Sequence, residues 1–300
     1  MRTYTKLILI FFALTVANSV LAQSGDDVRD DEALKMVALE ALMSAPSERA
    51  LPIVIRVLEG TGSDEMKEAA LFILSQIDHP DASAQLLKMT QSASGELRLD
   101  AIRMIGISGG DAVDSLAAIF SSGDSDVREA VLEAYMIAGN SQGLYNIAIN
   151  AENNDDFEAA VEMLGAMGAT DELSKIRERS GVSDAIISAY IISDDADAIR
   201  ELALDDSDLE QQANAIEALG IVGADDAEAL LTQIYRDSDS EFIKESALDG
   251  LLIGDYDDAV LQLYRSSTSV SEKHELLERL VIMDSDQVMQ IIDETLAGDQ

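Results

Sequence analysis

The feature that most constrains this chain of 300 residues is an internal repeat. The segment LRLDAIRMIGISGGDAVDSLAAIF begins at Leu97, and a similar segment, VREAVLEAYMIAGNSQGLYNIAI, begins 30 residues later at Val127. Each starts with an aliphatic–Arg pair, runs about a dozen residues to Gly109 or Gly139 and then begins a second apolar segment. Repeats with periods of about 20 to 50 residues form stacked arrays, because one copy cannot bury its apolar faces alone.

The same unit occurs nine times between residues 34 and 300, and we number the repeats 1 to 9. An anchor at the position of Leu97 and Val127 defines each repeat. The anchors are Leu34, Met66, Leu97, Val127, Asp156, Val182, Gln211, Ile243 and Glu272. Five residues after the anchor (position +5) every repeat has a branched aliphatic residue, position +4 is mostly small, and position +8 is Leu, Ile or Tyr. These positions share one helical stripe, so the pattern predicts a first helix in each repeat.

Position +12 predicts where this first helix ends. Glycine stands there in four repeats, aspartate in four and proline in one: Gly109, Gly139, Gly168, Gly223, Asp78, Asp194, Asp255, Asp284 and Pro46. Glycine supplies the left-handed residue that ends a helix, whereas proline and aspartate favour the following turn. A second apolar stripe follows in each repeat. The sequence therefore predicts an all-α fold, an α-solenoid of about nine antiparallel helix pairs, without a sheet.

The pattern aliphatic-Arg-x-x-Ala-aliphatic-x-x-Leu-Gly-x-x-Gly identifies the type of repeat. It is best seen in Leu97, Arg98, Ala101, Ile102, Ile105, Gly106 and Gly109. It resembles HEAT repeats, and most closely the short HEAT-like repeats of the phycobilisome-lyase type. The resemblance covers residues 34–300 and implies a HEAT/armadillo-like superhelix. Repeat 5 departs from the pattern, so we expect a bend or a lost turn within residues 151–182.

The first 22 residues have the pattern of an export signal. Arg2 and Lys6 precede an uncharged apolar stretch, and the segment ends at the small residue Ala22. We expect a cleavable signal peptide over residues 1–22, cut after Ala22, and therefore a periplasmic or secreted protein. An uncleaved membrane anchor is the alternative, but the apolar core is shorter than the roughly 20 residues that span a bilayer. Residues 23–33 are expected to form a flexible acidic linker before the repeat domain of residues 34–300.

Charge limits the classes of partner. Removal of Arg2 and Lys6 changes the net charge from −38 to −40, with 18 basic against 58 acidic residues. Such a chain repels nucleic acid and anionic membranes and attracts basic partners or cations. Adaptation to a saline habitat is an alternative explanation of the charge. The chain has no cysteine, which excludes disulfide and thiolate chemistry.

No arrangement of residues indicates catalysis, and we predict no catalytic, cofactor or metal site. The two histidines, His79 and His274, have no serine or metal-ligand partner at informative spacing. The acidic turns 205–208 and 237–241 could attract calcium, but Phe242 and Leu248 occupy places where an EF-hand loop needs glycine and glutamate. Caps of the following helices explain these turns better.

Four aromatic residues of the second helices are the candidates for a partner-binding row. They are Phe120, Tyr145, Tyr235 and Tyr264. Aromatic residues are enriched at interfaces, but packing between repeats is the alternative. The favoured function is an exported scaffold or adaptor for a protein or peptide partner, for which the charge suggests basic chemistry. A calcium-responsive acidic structural protein and a lyase-like cofactor-handling protein are the alternatives, and the oligomeric state is left open.

Overall fold

The computed structural model describes residues 27–283 and 287–297. The predicted signal peptide lies outside the described residues, as do residues 23–26 of the predicted linker. The linker prediction is wrong for residues 27–33, because the chain is already helical from Asp27.

Eighteen α-helices and no strand are present in the described part of the chain. They are α1 (Asp27–Glu40), α2 (Ser47–Glu59), α3 (Asp64–Ser75), α4 (Pro80–Ser92), α5 (Glu96–Ser108), α6 (Leu116–Ser122), α7 (Ser125–Ala138), α8 (Ser141–Ile149), α9 (Asn154–Ala166), α10 (Thr170–Ser180), α11 (Asp184–Ile192), α12 (Ala196–Ala203), α13 (Leu209–Val222), α14 (Ala227–Asp237), α15 (Glu241–Ile253), α16 (Asp257–Ser266), α17 (Val270–Ile282) and α18 (Val288–Ala297). Odd-numbered helices are the first helices of repeats 1 to 9 and even-numbered helices are the second. The predicted all-α fold of nine helix pairs is confirmed.

The chain divides into two compact units, residues 1–104 and 105–300. In the N-terminal unit, α3 packs against α1, α2 and α4 around fully buried aliphatic side chains such as Val54, Leu71 and Leu86. In the C-terminal unit, the first helices α7, α9, α11, α13 and α15 pack in sequence, each against the next. No helix within the described ranges is long and apolar enough to cross a membrane.

The predicted stripe of the first helix is buried in nearly every repeat. At position +5 all residues are buried except Leu277, at +4 all except Ala38, and at +8 all except Leu42. These exceptions lie in repeats 1 and 9, which have a neighbouring repeat in this chain on one side only. Burial of the stripe therefore depends on stacking, as expected for a repeat array.

Six residues at position +12 have φ in the left-handed region, and they are of two types. Gly109, Gly139, Gly168 and Gly223 have φ between 64° and 68°, and Asp194 and Asp255 have φ of 58°. The Tyr256 N–H donates to the Leu251 carbonyl at 2.9 Å and the Asp255 N–H to the Leu252 carbonyl at 3.2 Å, which is the Schellman pattern of a helix end. The sequence analysis assigned the left-handed conformation to glycine alone, and the structure extends it to aspartate.

The irregularity expected in repeat 5 is absent. Helices α9 and α10 are both complete, and the Asn153 side chain accepts a hydrogen bond from the Asp156 N–H at 2.8 Å, which caps α9. The irregular second helix belongs to repeat 3. There, two successive glycines with positive φ, Gly109 and Gly110, lead into a 3-10 helix over Gly110–Ser115 before the short α6.

Close approaches of first helices pair the repeats of the C-terminal unit. A methyl group on Gly106, Gly165 or Gly220, all at position +9, would come within 2.2 to 2.8 Å of the next first helix. The residues it would meet are Ala134, Ala189 and Gly250, all at position +7 of the following repeat. Small residues therefore bring together repeats 3 and 4, 5 and 6, and 7 and 8. The first helices of repeats 4 and 5, and of 6 and 7, make a smaller contact than those of repeats 5 and 6 or of repeats 7 and 8.

Candidate partner-binding edge

Three of the four predicted aromatic residues contact side chains of a later repeat. The guanidinium carbon of Arg128 lies 5.6 Å from the centre of the Phe120 ring, and the Lys273 ammonium lies 5.4 Å from that of Tyr264, both within cation–π range. Tyr235 is 4% exposed and its hydroxyl donates to Glu272 Oε1 at 3.1 Å. Burial, followed by the hydrogen bond to Glu272, raises the pKa of Tyr235.

These aromatic residues do not form a continuous row. Phe120 and Tyr145 belong to repeats 3 and 4, whereas Tyr235 and Tyr264 belong to repeats 7 and 8. Tyr145 is half-buried, like Phe120 and Tyr264. The geometry supports the packing interpretation of the aromatic residues, and their contact with a partner stays a prediction.

The residue after the anchor closes the preceding second helix. Arg98 Nε donates to the Thr90 carbonyl at 2.8 Å, and Gln212 Nε2 donates to the Ala203 carbonyl at 3.2 Å. Both carbonyls lie in the last turn of a second helix, where they lack an intrahelical donor. Arg98 therefore has a structural role at the end of the preceding helix, and Gln212 performs the same task without a charge.

A column of exposed isoleucines lies at the ends of the first helices of repeats 6 to 9. Ile192, Ile221, Ile253 and Ile282 occupy position +10 and are 49%, 54%, 47% and 63% exposed. Each stands two residues before position +12, so all four lie at the side where first helices turn into second helices. We call these four residues the isoleucine edge.

The helix ends do not require isoleucine. Backbone hydrogen bonds form the caps, and position +10 is Gln76 in repeat 2 and Ala166 in repeat 5. Isoleucine has a lower helix propensity than alanine or glutamine. Exposing an aliphatic side chain in four successive repeats also forgoes the free energy of burying it. The fold thus gives no reason for the column, whereas aligned exposed apolar residues mark interaction sites.

Contacts between first helices make the isoleucine edge continuous. Asn214 Nδ2 donates to Asp184 Oδ1 at 2.8 Å, which joins repeats 6 and 7. The approach of Gly220 to Gly250 joins repeats 7 and 8. Arg279 Nη1 lies 2.7 Å from Asp249 Oδ1 and joins repeats 8 and 9. Equivalent positions of four adjacent helices are therefore aligned.

The surroundings of the isoleucine edge are acidic. Glu217, Asp249 and Glu278 each precede an isoleucine of the edge by four residues and share its side of the helix. Burial, followed by the charge of Asp249, raises the pKa of Glu217. Exposed aspartates such as Asp225 and Asp255 lie on the turn side. Residues 182–283 include 24 acidic and 6 basic residues, a formal charge of −18, so the surface favours a partner that is both apolar and cationic.

The sequence analysis missed this edge although the sequence contains its pattern. Position +10 is isoleucine in six of the nine repeats, including Ile107 and Ile137. The sequence pattern assigned positions +4, +5 and +8 to the buried stripe. Position +10 lies at the end of the helix, where the following turn can either cover a side chain or leave it exposed. Only the structure shows that the column is exposed in repeats 6 to 9.

The N-terminal unit has a polar cleft of about 520 Å³. Gln85 in its wall is 8% exposed, and its buried Nε2 has no hydrogen-bond partner. Burial, followed by the charge of Asp100, raises the pKa of Glu68 on the same wall. Lys88, which also lines the cleft, lies 2.7 Å from Glu59. The lining therefore combines both charges with an amide and favours no single class of ligand.

Both histidines have surface roles, as predicted. His79 Nδ1 accepts a hydrogen bond from the Asp81 N–H at 3.1 Å and caps α4. His274 is exposed, with its Nε2 3.7 Å from Glu278 Oε1. Among residues 27–283 and 287–297, no group of three or more His, Cys, Asp or Glu side chains is placed to hold a metal ion.

The acidic turns considered for calcium cap helices. Asp208 accepts hydrogen bonds from the Glu210 N–H at 3.0 Å and the Gln211 N–H at 3.3 Å. Ser240, in the second turn, accepts from the Ile243 N–H at 3.4 Å. These contacts satisfy the free N–H groups at the start of α13 and α15, which confirms the capping interpretation.

Comparison with known proteins supports the type of repeat. Residues 51–136 match the family model of HEAT repeats, which confirms the predicted HEAT-like pattern. The chain is similar to the complex of CpcE and CpcF of phycocyanin lyase from Nostoc sp. PCC7120, with 19% identity over 77% of this chain and 93% of that chain and a TM-score of 0.33. It is also similar to an engineered protein, with 17% identity over 77% of this chain and 95% of that chain and a TM-score of 0.25. No curated protein matches the chain.

Proposed function

We propose that this chain is a non-catalytic scaffold or adaptor that binds a protein or peptide partner at the isoleucine edge. The observation that carries the proposal is the alignment of four isoleucines, 47% to 63% exposed, on consecutive repeats. Removal of apolar surface from water is the main driving force of protein association. A partner that covers this edge would bury side chains that the fold leaves in water.

The charge supports a basic partner. The edge lies in a region of formal charge −18, and a cationic partner would be attracted before contact is made. Raised salt should therefore slow association, because it screens charges that lie more than about a nanometre apart. Apolar contact with the isoleucines would then account for most of the resistance of the complex to dissociation.

The non-catalytic part of the proposal is supported by the roles of the titratable residues. His79 caps a helix, His274 lies exposed beside Glu278, and Asp208 caps α13. Each of these groups has a structural or surface role. A stacked helix array that presents one repeated surface suits binding.

We further propose that the protein acts after export, in the periplasm or outside the cell. The support is the pattern of residues 1–22, with basic residues before an apolar stretch that ends at Ala22. N-terminal sequencing of the protein from fractionated producing cells tests this. The expected first residue is Gln23 in the exported fraction, and a cytosolic protein that begins at Met1 would contradict it.

Binding is tested by comparing two double variants. Ile221→Ser/Ile253→Ser removes the centre of the edge, whereas Leu204→Ser/Leu209→Ser changes two leucines, 58% and 51% exposed, one just after α12 and one at the first residue of α13. After cross-linking in extracts of the producing cells, the control should capture the same partner as the unchanged protein, and the edge variant should capture much less. Equal capture by the edge variant, with unchanged helical circular dichroism, would refute the proposal.

A further inference from the structure

We infer that the partner segment is an α-helix that lies along the isoleucine edge, with apolar residues seven apart and basic residues on either side of them. The inference rests on the proposed function and specifies the chemistry and conformation of the partner. Its basis is the spacing of the edge, the charge on both sides of it and the charge of the chain itself.

The spacing of the edge favours a helix over an extended peptide. Packed helices have axes about 8–10 Å apart, which gives an expected interval of about that size between consecutive isoleucines of the edge. Seven residues of an α-helix rise about 10.5 Å and return to nearly the same face. In an extended strand three residues span about 10 Å, but side chains three apart point to opposite faces. Of these two conformations, the helix alone presents an apolar side chain to every isoleucine.

The number of repeats sets the length of the partner. Four isoleucines, from Ile192 to Ile282, define three intervals, or about 30 Å, which corresponds to a helix of about 20 residues. Over three heptads the apolar positions drift by about 60°, which stays within the apolar stripe of an amphipathic helix. One continuous helix can therefore contact all four residues.

The acidic groups lie on both sides of the isoleucines. Glu217 and Glu278 lie on the helix side, and Asp225 and Asp255 lie on the turn side, whereas Asp249 is already paired with Arg279. A helix whose apolar stripe rests on the isoleucines would place its flanking residues near these carboxylates. Lysine and arginine at the flanks are the complementary choice, since their long side chains reach sideways from an apolar stripe.

The negative charge of the chain disfavours two other possible occupants of the same surface. A second copy of this chain carries the same charge of −38 and would place acidic groups against acidic groups. An anionic membrane surface is repelled for the same reason. A basic amphipathic helix is the occupant that satisfies both the apolar and the acidic character of the edge.

The test uses a designed peptide of about 20 residues with leucine at heptad spacing and lysine at the flanking positions. Two control peptides are compared with it: one keeps the composition but has the leucines scrambled off the heptad, and one exchanges two central residues for proline. Binding to the full chain is measured by fluorescence anisotropy, and the conformation of the bound peptide by isotope-edited NMR. We expect the heptad peptide to bind as a helix and both controls to bind at least about tenfold more weakly.

Protein variants separate this inference from the proposed function. Ile221→Ser/Ile253→Ser should weaken binding of the heptad peptide at least about tenfold, whereas Leu204→Ser/Leu209→Ser should leave its affinity unchanged. Equal binding of the proline peptide, or no binding of the heptad peptide at millimolar concentration, would overturn the helical inference. Capture of the natural partner that still depends on the edge would in that case leave the proposed function standing. Capture independent of the edge would refute the proposed function itself.

Discussion

Gly220 and Gly250 lie against each other, so that a methyl group on Gly220 would come 2.2 Å from the Gly250 carbonyl oxygen. This is the tightest of the three close approaches that pair the repeats of the C-terminal unit. Because the clashing atom belongs to the backbone of a packed helix, neither helix can relax locally. The contact fixes the separation of α13 and α15 and, with it, the spacing of Ile221 and Ile253.

Gly220→Ala should destabilise the protein by about 1–3 kcal/mol, even though alanine favours a helix more than glycine does. The cause is the forced separation of α13 and α15. Chemical denaturation measures the loss of unfolding free energy. Gly62→Ala is the control, since a methyl group there meets Met66 at an ordinary 3.6 Å. Equal stability of both variants would show that the first helices of repeats 7 and 8 are not in close contact.

The buried stripe is tested by two substitutions in one helix. Ile216→Asp introduces a charge at a side chain that is 0% exposed and should cost at least about 3 kcal/mol, because an unpaired buried charge and a lost aliphatic contact add together. Ile221→Asp, five residues later and 54% exposed, should change stability little. Thermal unfolding followed by circular dichroism distinguishes the two. Similar melting temperatures would mean that the repeat register is wrong.

Asp194 and Asp255, two of the aspartates at position +12, have a left-handed conformation that is unfavourable for residues other than glycine. Asp255→Gly should stabilise the protein by up to about 1 kcal/mol, and Asp255→Val should destabilise it by about 1–2 kcal/mol, since a β-branched residue is poorly accommodated at φ of 58°. Urea midpoints at a constant denaturant slope provide the measurement. A more stable valine variant would exclude the left-handed turn.

The pH dependence of stability should reveal the raised pKa of Glu217. Burial, with the charge of Asp249, raises the pKa of Glu217 above its ordinary value of 4.5, so the folded state binds a proton more readily than the unfolded state. The carboxyl therefore contributes most favourably below its ordinary pKa, and this contribution is lost as the pH rises through the raised folded value. Glu217→Gln should raise the melting temperature at pH 7 and have little effect below about pH 4. A lower melting temperature of this variant at pH 7 would contradict the sign of the shift.

The sequence predicted those parts of the fold that one helix determines by itself. The stripe that includes Leu71 and Ile102 follows from helical periodicity, and the turns at Gly139 and Gly223 follow from the conformations open to glycine. Features that depend on a neighbouring repeat were missed. Nothing within one helix shows that Gly220 meets Gly250, because that contact joins residues 30 apart in different repeats.

The candidate site was predicted less well than the fold. Aromatic residues suggested a row, but Phe120, Tyr235 and Tyr264 contact side chains of later repeats, and a sequence pattern cannot distinguish packing from binding. The exposure of Ile253 could not be inferred either, since position +10 lies at the border between the buried stripe and the solvent. The start of the first helix was also predicted too late, because α1 begins within the expected linker.

The central claim is that the isoleucine edge touches a partner, and site-specific photo-cross-linking in intact producing cells tests it most directly. A photoreactive phenylalanine analogue is placed singly at Ile192, Ile221 or Ile253, and as controls at Leu204 and Leu209, which are similarly exposed but lie away from the edge. The edge positions should give one shared cross-linked product that the controls lack. The same product from the controls, or none from any edge position, would contradict the claim.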